Sequence, residues 1–145
     1  MKSCKMNKTL TPPFVTHLAA NEIFVFGSNL AGMHGGGAAR IAYEKFGAEW
    51  GNGVGPQGQC YAIPTMQGTV ETIKPYADEF IAYAKAHPEK QFLLTRVGCG
   101  IAGFTDEEIA PLFAEAMSME NISVPAEWLP KGGVIIEKII LLLFA

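Results

Sequence analysis

The stretch "EIFVFGSNLAGMHGGGAARIAYEKFG", residues 22–47, decides how the chain is read. Its first six residues, Glu22–Gly27, form a short apolar run rich in β-formers, the pattern of a buried strand. Its last ten begin at Ala38 and put Ala38, Ile41, Ala42 and Phe46 on one helical face, with Gly47 suited to the C-terminal cap. Between them lie one Asn and a cluster of glycines. Each glycine weakens a helix or strand by roughly 0.5–1 kcal/mol relative to alanine, so the cluster needs a reason. A loop that leaves a strand and enters a helix meets unpaired N–H groups and about half a positive charge. Glycines there let the backbone approach an anion closely.

Outward from this stretch, strand, loop and helix recur. "CYAIPT" (60–65) reads as a strand ended by Pro64. A helix from about Thr72 to Ala86 carries Ile73, Tyr76, Ala77, Phe80, Ile81 and Ala84 on one stripe. Pro75 is tolerable in its first turn, and Pro88 follows its end. "QFLLTRVG" (91–98) is apolar enough for burial on both faces, as in a parallel sheet. "TDEEIAPLFAEAM" (105–117) opens with Thr105 and Glu108 at capping-box spacing and is interrupted at Pro111. "NISVP" (121–125) is the last expected strand. The sum is a three-layer α/β/α fold with a mostly parallel central sheet. Residues 1–21 read as a lead-in and residues 22–145 as one domain, which includes the apolar segment 134–145. That segment is too short to span a bilayer.

The 145 residues suffice for one domain with a sizeable core, and the net charge of −3 argues against a dedicated nucleic-acid binder. An anionic ligand must therefore be held by local dipoles and amides. Cys4, Cys60 and Cys99 are odd in number and match no zinc spacing, which suits a reducing, cytoplasmic setting. The Lys-bearing N-terminus lacks the apolar run of a signal peptide. No membrane contact, metal or cofactor is expected, and the oligomeric state stays open.

A second glycine loop, "GCGIAG" (98–103), also follows a strand and precedes a helix. It matches the G-x-G-x-x-G of a dinucleotide-binding fold, but so far along the chain that little room remains for the rest of a Rossmann domain. Taken together, "VFGSNLAGMHGGGAARIA" and "GIAGFT" resemble the two loops of the macro domain, the ADP-ribose-binding α/β module. More narrowly, the run from "FVFGSNLAG" through "YAIPT" to "TRVGCGIAGF" resembles small macro-like proteins of bacteria and phages. The resemblance spans about residues 22–128. It implies that the amides of Cys99, Gly100, Ile101, Ala102, Gly103 and Phe104 wrap a diphosphate, with Gly98 at the loop entrance. The first loop, Gly27, Ser28, Asn29, His34, Gly35, Gly36 and Gly37, would then hold the distal ribose, and Asn29 would bond one of its hydroxyls.

There are departures. The family's adenine-reading Asp has no counterpart in "PPFVTHLAAN" (12–21), and Ala39 stands where hydrolytic members often keep an acid. Three functions follow as alternatives. The chain binds a nucleotide diphosphate such as ADP-ribose and hydrolyses an ADP-ribosyl or phosphoryl-ribose bond; or it is a non-catalytic reader; or it is a Rossmann-like NAD-binding oxidoreductase. Asn29 and His34 are the catalytic candidates. An imidazole titrates nearest neutrality of all side chains, although a loop His can equally cap a turn. Cys99, between glycines before a helix, suits either a nucleophile or a small packed residue. Arg96 fits an ion pair with a helix acid or a phosphate contact. Trp50 fits a lid over the cleft or packing on the solvent side.

Overall fold

The alternation of side chains along the first strand sets up two cores. The computed structural model describes residues 8–129. Strand β1 (Glu22–Ser28) turns Ile23 and Val25 to one face of the sheet and Phe24 and Phe26 to the other. Helix α1 (Gly37–Lys45) covers the Phe24–Phe26 side through Ala39 and Ala42. Helix α2 (Lys74–Ala86) covers the opposite side through Ala77, Phe80, Ile81 and Ala84. The fold is α/β with three layers.

The remaining strands are β2 (Gly55–Gln57), β3 (Cys60–Pro64), β4 (Gln91–Leu94) and β5 (Ile122–Ser123). Their order is β2-β3-β1-β4-β5. All neighbours run parallel except β2, which is antiparallel to β3. From β1 the chain steps one way to β3, then back past β1 to β4. Right-handed crossovers in opposite directions deposit their helices on opposite faces, which is where α1 and α2 lie. The strand order thus reverses at β1, and the carboxyl end of β1 becomes the crevice where open α/β sheets hold ligands.

Four details differ from the sequence reading. The segment from Thr105 is not one helix. A short α3 (Asp106–Ile109) passes into a 3-10 stretch, Ala110–Ser118, in which Phe113 leaves helical geometry at φ −113° and ψ 24°. Pro111 lacks an N–H and cannot continue the α-helical ladder. Helix α2 starts at Lys74, after a 3-10 turn at Val70–Thr72. The loop 47–59 contains the unexpected β2, which a Gly-Pro pair hides from any strand pattern. Finally, the lead-in joins the sheet: Thr11 N–H donates to Val124 O at 2.8 Å and Val124 N–H to Thr9 O at 3.1 Å. The apolar segment 134–145 lies outside the described residues. Among those residues no helix is long and apolar enough to cross a membrane.

Candidate functional site: a cleft at the end of β1

Three chain segments leave the sheet around Gly27. Thr65 continues β3, Val97 and Gly98 follow β4, and Ser28 and Asn29 continue β1. They enclose a cleft of about 230 Å³, lined also by Met33, Gly36 to Ala39, Met66, Thr95, Arg96, Gly100, Ile101 and Ala102. A Cβ at Gly27 would come within 3.3 Å of the Gly98 N, so this glycine permits the close approach of the β4 loop.

The first loop supplies the cleft with a helix end. Gly36 is the N-cap of α1, with no side-chain cap and no acid in the first turn. The first amides of a helix have no intrahelical acceptor, and Gly36, Gly37, Ala38 and Ala39 line the cleft. Asn29 shapes this loop by bonding Met33 twice: its Nδ2 donates to Met33 O at 2.9 Å and its Oδ1 accepts from Met33 N–H at 2.8 Å.

The second loop behaves differently from its sequence pattern. Gly103 N–H donates to Gly100 O at 3.0 Å and Phe104 N–H to Gly98 O at 2.9 Å, while the amides of Gly100, Ile101 and Ala102 find no acceptor among the described residues. The helix beyond is only four residues long. Its end is closed by the capping box: Thr105 N–H donates to Glu108 Oε1 at 2.9 Å and Glu108 N–H to Thr105 Oγ1 at 3.2 Å. The positive end of α3 is therefore spent within the protein. What this loop brings to the cleft is its own amides and the Ile101 side chain, whose Cδ1 reaches toward Gly36 and Gly37.

The expected site residues thus divide. Gly27, Ser28, Asn29, Gly36, Gly37, Gly98, Gly100, Ile101 and Ala102 meet in one cleft. His34, Gly35, Cys99, Gly103 and Phe104 do not line it. His34 is 1% exposed. Its Nε2 lies 2.8 Å from Glu49 O and 3.1 Å from Asn52 O, so Nε2–H is the donor and the ring fastens the 47–59 loop to the first loop. Phe26 meets this ring edge-on at 5.3 Å. Phe104 and Cys99 pack against the α2-side core. Burial, with Asp106 beside it, pushes the Cys99 thiol up to about 12, the opposite of an activated nucleophile. Trp50 packs on Tyr43 and His34, at 5.3 and 6.2 Å between ring centroids, away from the cleft lining.

Thr65, Met66, Thr95 and Val97 are lining residues that the sequence reading passed over. Each lies within three residues of the end of β3 or β4, at the same sheet edge as Gly27, which is the signal that would have found them. Arg96 reaches the cleft as the ion-pair reading anticipates. Its Nε donates to Asp106 Oδ1 at 3.0 Å and its Nη2 to Asp106 Oδ2 at 2.8 Å. Trp128 Nε1–H donates to the same carboxylate at 2.7 Å. The Arg96 guanidinium holds Asp106 below the usual carboxylate range. No His/Cys/Asp/Glu group suited to a metal occurs among the described residues.

No protein-family model matches the chain, and comparison with curated proteins and with solved structures finds no match.

Proposed function

We propose that this cleft binds ADP-ribose or a related nucleotide diphosphate, in the manner of the macro-like proteins that the two loops resemble. One observation carries the reading. Two loops from different strands bring unpaired main-chain amides to a single cleft at the point where the strand order reverses. An uncapped helix N-terminus without a first-turn acid is a favourable seat for phosphate. Gly100, Ile101 and Ala102, whose amides have no acceptor among the described residues, line the cleft from the other loop.

The lining favours a reader over a hydrolase. Among the described residues it contains no Asp, Glu, His or Cys, and the one charged side chain among them, Arg96, pairs with Asp106. General acid–base catalysis requires a titratable group within hydrogen-bond reach of the reacting atom. The oxidoreductase reading is weakened by α3, which is four residues long and closed by its own acids. Free thiols at Cys60 and Cys99 suit a cytoplasmic setting. The partner in this reading is a small molecule, with no role for nucleic acid or membrane.

Calorimetry with ADP-ribose, ADP, NAD and inorganic phosphate tests it. ADP-ribose is expected to bind at least tenfold tighter than phosphate. Silence from all four ligands removes the reading, and NAD binding tighter than ADP-ribose restores the oxidoreductase. Incubation with ADP-ribosylated protein is expected to release no product; release would make the chain a hydrolase.

A further inference from the structure

Among the described residues, the polar side chains around the cleft are largely bonded to the protein itself. Ser28 Oγ donates to Gly53 O at 2.6 Å, Thr95 Oγ1 to Val25 O at 2.7 Å and Thr65 Oγ1 to Ser28 O at 3.4 Å. The Asn29 amide bonds Met33 twice, and the Arg96 guanidinium gives its Nε–H and one Nη2–H to Asp106, which leaves one Asn29 N–H and three Arg96 N–H groups, all of them donors suited to phosphate oxygens. The hydroxyl-bearing residues Ser28 and Thr65 are moreover buried, at 4% and 3% exposure. Besides these N–H groups, two kinds of group remain uncommitted. One is the set of main-chain amides already described. The other is a group of large apolar side chains at the cleft, Met33, Met66 and Ile101, which are 58%, 50% and 73% exposed.

At about 230 Å³ the cleft is also smaller than the roughly 300–1,000 Å³ that encloses a drug-sized ligand. It has room for the phosphate-bearing part of a nucleotide, and the rest must leave past the apolar side chains. A site rejects analogues with altered hydrogen-bonding groups only where protein groups are built to pair with those groups. Among the described residues the Asn29 oxygen is bonded to Met33 and the Ser28 and Thr65 hydroxyls are bonded and buried, and the side-chain groups left over are donors fit for the phosphates. Apolar contact with a base face, by contrast, is tolerant of base identity, because every base has such a face.

From this, and resting on the nucleotide-diphosphate reading above, we infer that the cleft grips its ligand by the diphosphate through main-chain amides and leaves the base unread. Met33, Met66 and Ile101 clasp the adjoining nucleoside without regard to its identity. The ligand class is then diphosphate esters of purine and pyrimidine nucleosides alike.

Calorimetry of the full chain with ADP, GDP, CDP, UDP and inorganic pyrophosphate tests this. The four nucleotides are expected to bind within about threefold of one another and each at least fivefold tighter than pyrophosphate, through the apolar contact. Ile101→Ala and Met66→Ala alter exposed side chains and leave the fold intact. Each is expected to weaken all four nucleotides by a common factor of about 3–10 and to leave pyrophosphate unchanged. A preference above tenfold for one base, or an Ile101→Ala effect confined to one base, overturns the inference while the nucleotide-diphosphate reading stands. Pyrophosphate as tight as the nucleotides removes the apolar clasp and overturns it too. No binding of any of the five removes both.

Discussion

The side chains with the most suggestive chemistry in the sequence serve chiefly to hold the loops in place. Asn29 spends its amide on both polar groups of Met33. Asn29→Ala forfeits two hydrogen bonds at about 0.5–1.5 kcal/mol each. It is expected to lower stability by about 1–2 kcal/mol in urea unfolding and to weaken ADP-ribose several-fold; unchanged affinity would separate the loop's shape from binding. Cys99 is expected to be unreactive. With its thiol pushed up to about 12, only about 10⁻⁴ of it is ionised at pH 8. In a Cys4→Ser background, peptide mapping after iodoacetamide should show Cys99 labelling far slower than in the denatured chain, and a fast phase would contradict the assignment. Asp106 answers to pH. Arg96 lowers its folded-state pKa, so the stability it lends is present above the unfolded value of about 3.9 and is lost as the pH falls through the folded one. Asp106→Asn should flatten the acid limb of a stability–pH curve below about pH 4 and leave the slope of the neutral region as it is in the parent protein. The sequence identified His34 and Cys99 as chemically able residues. It could not assign their roles, because the partners of His34 are carbonyl oxygens 15 and 18 residues away, and the environment of Cys99 is set by packing.

At the level of elements, the two glycine loops look alike in sequence and end in unlike helices. Helix α1 has nine residues, a bare N-terminus and no first-turn acid, whereas α3 has four residues and three acids, Asp106, Glu107 and Glu108, in its first turn. The capping box was legible from Thr105 and Glu108. Its consequence, a helix end closed to ligands, follows only once Pro111 is seen to cut the helix short. Ala38 tests this contrast. It lines the cleft in the first turn of α1 and is half-buried. Ala38→Asp adds a charge that the helix dipole favours by about 0.3–1 kcal/mol and that repels a phosphate at the same amides. Unfolding should therefore shift by less than about 1 kcal/mol while nucleotide affinity falls more than tenfold. Retained affinity would move the anion away from α1. The strands were legible because β1, β3 and β4 are apolar runs buried on both faces. β2 escaped because its three residues are Gly-Pro-Gln and its pairing with β3 is tertiary information.

Across the whole molecule, alternation of strand and helix announced the layers, but the strand order, and with it the place where the loops meet, is set by long-range pairing that no local pattern encodes. The loop 47–59 shows this most clearly. Its length and glycine content suggest a mobile flap, yet it is the buttress of the cleft. Ser28 bonds Gly53 O, His34 bonds Glu49 and Asn52, and Gly51 N–H donates to Gly32 O at 2.9 Å. Gly53 is buried at the centre of this junction, and a Cβ there would overlap the carbonyl oxygen of Asn29. The obstacle is backbone on both sides, so the two loops must separate to accommodate a side chain. The two cores lie on the faces of the sheet, and the junction lies at its edge. Gly53→Ala is therefore expected to cost about 1–3 kcal/mol, in the range of overpacking. It should also weaken ADP-ribose more than tenfold, because displacing Asn29 displaces the loop that leads to α1. Gly35→Ala is the matched control: Gly35 has an ordinary φ and open space where a Cβ would stand. Unfolding and calorimetry on the two variants should separate them cleanly. Equal affinities would mean that the junction braces the fold without setting the geometry of the cleft.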